Sequence, residues 1–261
     1  MDGALARIHA FERALQGRLA TRTARARFGT AYLNERFPRR WHSNFLWVDR
    51  ALGAVTAQEL AADVDDVFGR AGLDHRVIWV EDAVQGDRLT PGLEALGYET
   101  ERNVVMVQAR EPDRWTDHRA EEIDLPAATT FAVASNLESP DTEDPADARM
   151  LAGFKGELLR RVGARFFGAR DGGEIVAGCD LYRIGDVAQI EDVFTLTAHR
   201  GGGLARAAVL AAVRAARDAG ADLLFLGADD EDWPKHLYAK LGFDVVGRSV
   251  DFLRKPQGQR S

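Results

Sequence analysis

Three consecutive glycines, Gly201, Gly202 and Gly203, stand directly behind Arg200 and ahead of an alanine-rich run, in "TAHRGGGLARAAVLAAVRAARDAG". Glycine weakens regular structure and is useful where a backbone must come very close to something. A helix opening here would aim successive backbone N–H groups, and the positive end of its dipole, at whatever lies in front of it. The chemistry this suits is the holding of a pyrophosphate. A Walker A loop needs a lysine followed by Ser or Thr, and Leu204-Ala205 follow instead. A Rossmann fingerprint counted from Gly201 puts Arg206 where its third glycine belongs, and it expects a run of parallel strands that the hairpin signals here do not support. The remaining pattern is Arg-x-x-Gly-x-Ala, met by Arg200, Gly203 and Ala205.

Other chemistries have less to stand on. His42, His199 and His236 are isolated and no metal-ligand spacing is present, so no metal is expected. Cys179 is the only cysteine. It excludes an internal disulfide and a thiolate cluster, and in "EIVAGCDLY" it reads as a small core residue.

The elements that position the loop follow from periodicity. Ala4 to Ala20 predicts a helix, with Ile8, Phe11, Leu15 and Leu19 at three- and four-residue spacing. "ARFGTAYLNERFPRRWHSNFLWVD" reads as extended pieces ending in a strand at Asn44–Val48. Then come a helix over Thr56–Phe68, a buried strand over Arg76–Asp82, a short helix over Leu89–Leu96 and a strand in "NVVMVQA". Pro112–Leu125 reads as a linker, and Phe131–Ser135 as the start of a second sheet. "ESPDTEDPADA" reads as an acidic mobile loop carrying Glu138, Asp141, Glu143, Asp144 and Asp147. A helix over Ala148–Val162 precedes three antiparallel strands between Ala164 and Leu196, with a hairpin signal at Asp171-Gly172-Gly173. A long helix over Gly203–Ala219, a strand over Leu223–Leu226, a short helix around Trp233–Leu241 and two closing strands complete the chain.

The two halves resemble each other. "AGLDHRVIWVED" matches "AGADLLFLGADD", and "LEALGYETERNVVMV" matches "LYAKLGFDVVGRSVDFL". The element order and spacing point to duplication, with domains at 1–111 and 118–261. The glycine loop is not duplicated: the first half reads "RALGAVTA" at that position.

Composition sets bounds. A chain of 261 residues, 46% hydrophobic and 29% charged, is ordinary for a globular protein. No apolar run is long enough for a bilayer, and "MDGALARIHAFERALQGRLA" lacks the pattern of a signal peptide. A cytoplasmic protein with no membrane partner is expected. Residues 1–50 hold ten arginines against four acids, about +6, so the remainder of a net −7 chain is about −13. The scattered arginines read as a solvated helix face rather than a nucleic-acid arm, and the acidic balance mildly suits a cationic substrate.

"FTLTAHRGGGLARAAV", with "LYAKLGFDVVG" downstream, resembles the GNAT superfamily of acetyl-CoA-dependent N-acetyltransferases. The resemblance covers Ala164–Arg254, and the first half only through the repeat. It implies an acyl-CoA N-acyltransferase fold of α+β type: a mixed, largely antiparallel twisted sheet flanked by helices, in two tandem copies with a degenerate first copy. It implies acetyl-CoA as co-substrate, with the pyrophosphate on Arg200, Gly201, Gly202, Gly203, Leu204 and Ala205. The pantetheine arm would pair with Val193, Phe194 and Thr195. A backbone N–H near Phe194 would polarise the thioester carbonyl, and Tyr238 matches the family tyrosine that protonates or contacts the leaving thiolate. Glu191 is the favoured base on the strand entering the loop, with Asp192 or water as alternatives. Strand alternation should turn only one of the two acids to the cleft. The family's asparagine ahead of the tyrosine is missing. Here the stretch reads "DDEDWPKHLY", where Asp232 is a candidate cap, Pro234 suits a first helical turn and Trp233 is a candidate cleft residue. The expectation is acetyl transfer to a primary amine of a small molecule or peptide, by a monomer or homodimer. The alternative is a non-catalytic acyl-CoA-binding or regulatory module.

Overall fold

The computed structural model describes residues 2–116, 118–142 and 144–256. The chain runs through α1 (Asp2–Leu19), β1 (Arg22–Arg25), β2 (Thr30–Leu33), β3 (Phe45–Val48), α2 (Ala57–Arg70), β4 (Arg76–Val80), α3 (Ala83–Glu94) and β5 (Glu99–Gln108). It continues with β6 (Ala120–Ile123), α4 (Leu125–Leu137), α5 (Pro145–Ala152), α6 (Phe154–Val162), β7 (Arg165–Asp171), β8 (Glu174–Ile184) and β9 (Val187–Thr195). Then follow α7 (Leu204–Asp218), β10 (Leu223–Asp229), α8 (Pro234–Lys240) and β11 (Phe243–Arg254). The fold is α+β, with helices on largely antiparallel strands and parallel pairing at β3–β4 and β9–β10. The repeat is visible as two β-α-β-α-β runs, β3-α2-β4-α3-β5 and β9-α7-β10-α8-β11.

Residues from both halves enter each of two compact units. The C-terminal unit takes the chain up to Arg18, Met106–Ala228 and Trp233–Val246. The N-terminal unit takes Leu19–Val105, Asp229–Asp232 and the described chain from Gly247. The end strands account for this exchange: β11 pairs antiparallel with β4, from Val250↔Val80 to Arg254↔Arg76, and β5 lies beside β10.

In the N-terminal unit, α2 starts at a capping box. The Thr56 hydroxyl accepts from the Glu59 N–H at 3.2 Å, and the Glu59 carboxylate accepts from the Thr56 N–H at 3.0 Å. Leu60, Val64, Val67 and Phe68 then bury one face with Leu46, Ile78, Val250 and Phe252. α3 begins at Ala83, not Leu89, because Asp82 caps it by accepting from the Val84 and Gln85 N–H groups.

His75 in this unit is 2% exposed, between the rings of Trp41 and Phe68, and its Nε2 is buried without a hydrogen-bond partner. Burial holds its pKa down to about 4, against a backbone hydrogen bond with Asn44 that favours the charged form. A base depressed by folding adds stability above its ordinary pKa of 6.5 and loses it as pH falls towards 4. Unfolding by denaturant should therefore cost about 2–3 kcal/mol less at about pH 4.5 than at neutral pH, through this group alone. His75→Gln should remove that part of the pH dependence. An equal loss in the wild type and the variant would contradict the assignment.

In the C-terminal unit, Ile8, Phe11 and Leu15 are buried as the periodicity predicts, and Phe11 meets Phe225 edge-on at 5.3 Å. Side chains of this size each contribute roughly 1.5–3 kcal/mol on burial. The strands of this unit run β10-β9-β8-β7-β6. α7 packs over β6 to β9, with Leu204 and Ala207 against Ala169, Val176 and Ala177.

Four sequence expectations are corrected here. Phe131–Ser135 is not a strand but part of α4, capped by Asp124, which accepts from the Ala127 N–H at 2.9 Å. The stretch read as a linker contains β6, paired with β7. The acidic loop is shorter than expected, because α5 starts at Pro145 with Asp144 as its cap; Glu143 lies outside the described residues. The two closing strands are one, β11.

Candidate functional site

β9 carries the first part of the site. It pairs antiparallel with β8, but the register shifts: Gly178 faces Phe194, whereas Asp180 faces Glu191. One β8 residue, Cys179, therefore lies opposite two β9 residues, Asp192 and Val193, which is a β-bulge. Asp192 has φ +56°, and among the described residues no other non-glycine has a positive φ. That left-handed backbone costs about 1–2 kcal/mol for most residues, less for Asp. The bulge suspends strand alternation, so the expectation that only one of Glu191 and Asp192 faces the cleft does not apply. The acid side chains have different partners. Glu191 Oε1 accepts from Gln189 Nε2 at 2.7 Å, and Asp192 Oδ2 accepts from Lys155 Nζ at 2.7 Å. Val193, Phe194 and Thr195 follow, all half-buried, and Thr195 Oγ1 is buried without a hydrogen-bond partner.

Lys155 joins β9 to β8. Its ammonium donates to both Asp180 oxygens at 2.7 Å as well as to Asp192, and lies 5.6 Å from the centre of the Phe166 ring. The Tyr182 hydroxyl also donates to Asp180, at 2.9 Å. Lys155 and Asp180 are both buried. Burial opposes the ammonium, but the two carboxylates outweigh it and hold Lys155 above the ordinary lysine pKa. Burial pushes Asp180 up to about 6, against the pull of Lys155. Burial likewise raises the Cys179 thiol, which is a buried core residue as the sequence reading expects. Lys155, Phe166, Cys179, Asp180 and Asp192 line a small pocket with Phe131 and Ser135 of α4. Sequence reasoning missed Lys155 and Asp180. The signal was there: Lys155 stands three and seven residues before Leu158 and Val162, on the apolar stripe of α6, and Asp180 interrupts a buried strand.

A 3₁₀ turn, Thr197–His199, leads from β9 to the glycines. Glu138 accepts from the Thr197 N–H and hydroxyl, at 2.9 and 2.8 Å, and His199 Nδ1 lies 3.0 Å from Asp171. Arg200 is exposed. Its Nε donates to the Thr195 carbonyl at 3.1 Å and its guanidinium sits over the Phe194 ring. Gly201 and Gly203 have φ +84°, which only glycine adopts without strain. Gly202 has no such need, and a Cβ there would meet only the His199 carbonyl oxygen, at 3.9 Å. Gly203 is the N-cap of α7, and no side chain caps the helix. Leu204 is buried and anchors the first turn, and Ala205 is half-buried beside it. Inside α7, Arg206 is buried and pairs with Asp113 at 2.6 Å, which fixes the start of the helix to the segment before β6. Loop and helix thus form a Cβ-free, uncapped N-terminus of a 15-residue helix, a fitting place for an anion.

The parallel pairing of β9 with β10, from Val187↔Leu223 to Ile190↔Leu226, places the C-terminal ends of both strands at one edge. β9 leads there into the glycine loop, and β10 towards α8. Tyr238 is buried in α8, with its ring edge-on to Phe243 at 6.4 Å. Pro234 opens α8 as expected. Asp232 is not its cap: Trp233 holds that position, makes no side-chain capping bond to the helix, and is 60% exposed. No described helix is long and apolar enough to cross a membrane, and no group of His, Cys, Asp or Glu among the described residues could hold a metal ion.

Residues 129–243, which contain β9, the glycine loop, α7 and Tyr238, match the sequence model of the acetyltransferase (GNAT) family. The C-terminal half of the chain thus carries the GNAT acetyltransferase pattern. No curated protein matches the sequence. Among solved structures, a functionally unknown conserved protein from Staphylococcus epidermidis is similar at TM-score 0.67 and 16% identity, over 89% of this chain and 93% of that one. A GCN5-related N-acetyltransferase from Kribbella flavida is similar at TM-score 0.62 and 17% identity, over 97% and 96%. A tandem GNAT protein from the clavulanic acid biosynthesis pathway is similar at TM-score 0.54 and 14% identity, over 89% and 79%. At these identities the likeness shows the fold alone, and it extends through both halves of this chain.

Proposed function

We propose that this protein transfers acetyl from acetyl-CoA to a primary amine of a small molecule or peptide. The observation that carries the reading is the uncapped α7 N-terminus behind Gly201–Gly203, at the strand edge to which β9 and β10 both lead. When bound, acetyl-CoA supplies the activated acetyl thioester. Arg200 and the backbone N–H groups from Gly201 to Ala205 hold its pyrophosphate. Arg200 would then exchange its bond to the Thr195 carbonyl for the phosphate. Val193 to Thr195 offer backbone edges, and the unpartnered Thr195 hydroxyl, to the arm of the coenzyme. The N–H near Phe194 polarises the thioester carbonyl. Glu191 takes the ammonium proton, directly or through water: its Gln189 partner is a neutral amide, whereas Asp192 is held by the Lys155 ammonium. Tyr238 gives its proton to the departing thiolate.

The N-terminal half serves as a degenerate copy without a coenzyme site of its own. Its "RALGAVTA" holds neither the arginine nor the glycine run. Calorimetric titration with acetyl-CoA should therefore give one site per chain. Two sites per chain would refute the degenerate copy, and no binding would refute the proposed function.

A further inference from the structure

We propose that Lys155 is a positioning residue for this reaction, its ammonium bridging Asp180 and Asp192 so that β9 keeps the bulge that sets Val193 and Phe194. The inference rests on the acetyltransferase reading above. Its evidence is separate from the glycine loop. The Asp192 backbone is left-handed, a conformation that persists in non-glycine residues only where the surroundings hold it. Here the holding group is visible: one buried ammonium with three oxygens at 2.7 Å, from two adjacent strands. The bridge falls where the register changes, since Asp180 is the first β8 residue beyond the shift and Asp192 lies within it.

Charge explains why an ammonium is needed. Without it, two carboxylates would share one low-dielectric spot beside the Tyr182 hydroxyl, the Cys179 thiol and the Phe166 ring, with a third carboxylate, Glu191, opposite Asp180 on the next strand. Asp180 is buried and fixed, whereas the Asp192 side chain is half exposed. Repulsion would therefore drive Asp192 outward. The strand would relax to an extended φ, and Val193 and Phe194 would shift with it. Arg200, stacked on Phe194, adjoins the same segment.

The test compares wild type, Lys155→Met and Lys155→Met/Asp180→Asn, using the amine that supports the fastest thiol release from acetyl-CoA. In Lys155→Met, kcat should fall about 10–100-fold, as expected for misplacing a polarising group. The KM for acetyl-CoA should rise by less than kcat falls, because the glycine loop is untouched while the arm contacts at Val193 and Phe194 shift. The double variant removes the repulsion and gives Asp192 an amide N–H, so it should recover most of the loss. It also stands in if the single variant does not fold. A kcat within about twofold of wild type in Lys155→Met, or a loss the double variant does not relieve, would overturn the proposal. Crystal structures of both variants give a readout independent of turnover. Asp192 should become extended in Lys155→Met and left-handed again in the double variant; a bulge retained without Lys155 overturns the positioning role. Absence of turnover in the wild type with every amine would instead count against the acetyltransferase reading and leave those structures to decide the role of Lys155.

Discussion

Gly202→Glu is expected to abolish measurable acetyl-CoA binding while the protein stays folded. Of the three glycines, this is the one where substitution isolates the ligand. Gly201 and Gly203 sit at φ +84°, so any side chain there adds backbone strain, and a Cβ at Gly203 also comes within 3.6 Å of the His118 ring. At Gly202 the backbone accepts any residue, and nothing nearer than 3.9 Å meets the new Cβ. A glutamate there sets a negative charge and a side chain where the proposed pyrophosphate meets the backbone. Like charges forced together cost several kcal/mol, so the affinity should fall about 100-fold or more. Calorimetry reads the affinity, and a circular dichroism melt reads the fold. Unchanged affinity in a folded variant would move the cofactor site elsewhere.

Tyr238→Phe should lower kcat by about 10²–10⁴-fold, the usual worth of a general acid. The ring is buried against Phe243, and phenylalanine keeps that packing, so the fold and the affinity for acetyl-CoA should hardly change. A loss confined to the transition state appears in turnover and not in binding. Full turnover in the phenylalanine variant would reduce Tyr238 to a packing residue and leave the thiolate to water.

The glycine loop was legible because glycine has few reasons to stand before a helix. The structure separates those reasons: Gly201 and Gly203 answer to their φ, and Gly202 to neither φ nor packing, leaving the open approach to the loop. α1, α2 and α7 were legible from three- and four-residue spacing. α4 was not, because "FAVAS" is too short a run to distinguish a buried strand from a helix; Asp124 and Pro126 marked its start. The two closing strands expected are a single strand, β11, whose last residues pair with β4. Nor does either half's last strand show in its sequence which neighbour it will choose, so the exchange of β5 and β11 could not be read. The bulge at Asp192 depends on Lys155, 37 residues earlier, and no local pattern encodes that distance.

The most direct test of the central claim is thiol release from acetyl-CoA by the full chain against a panel of primary amines and lysine-bearing peptides, with products weighed by mass spectrometry. The account predicts amine-dependent release matched by one acetylated product. Tight binding of acetyl-CoA with no acetylated product from any amine would contradict it and make the chain an acyl-CoA-binding module.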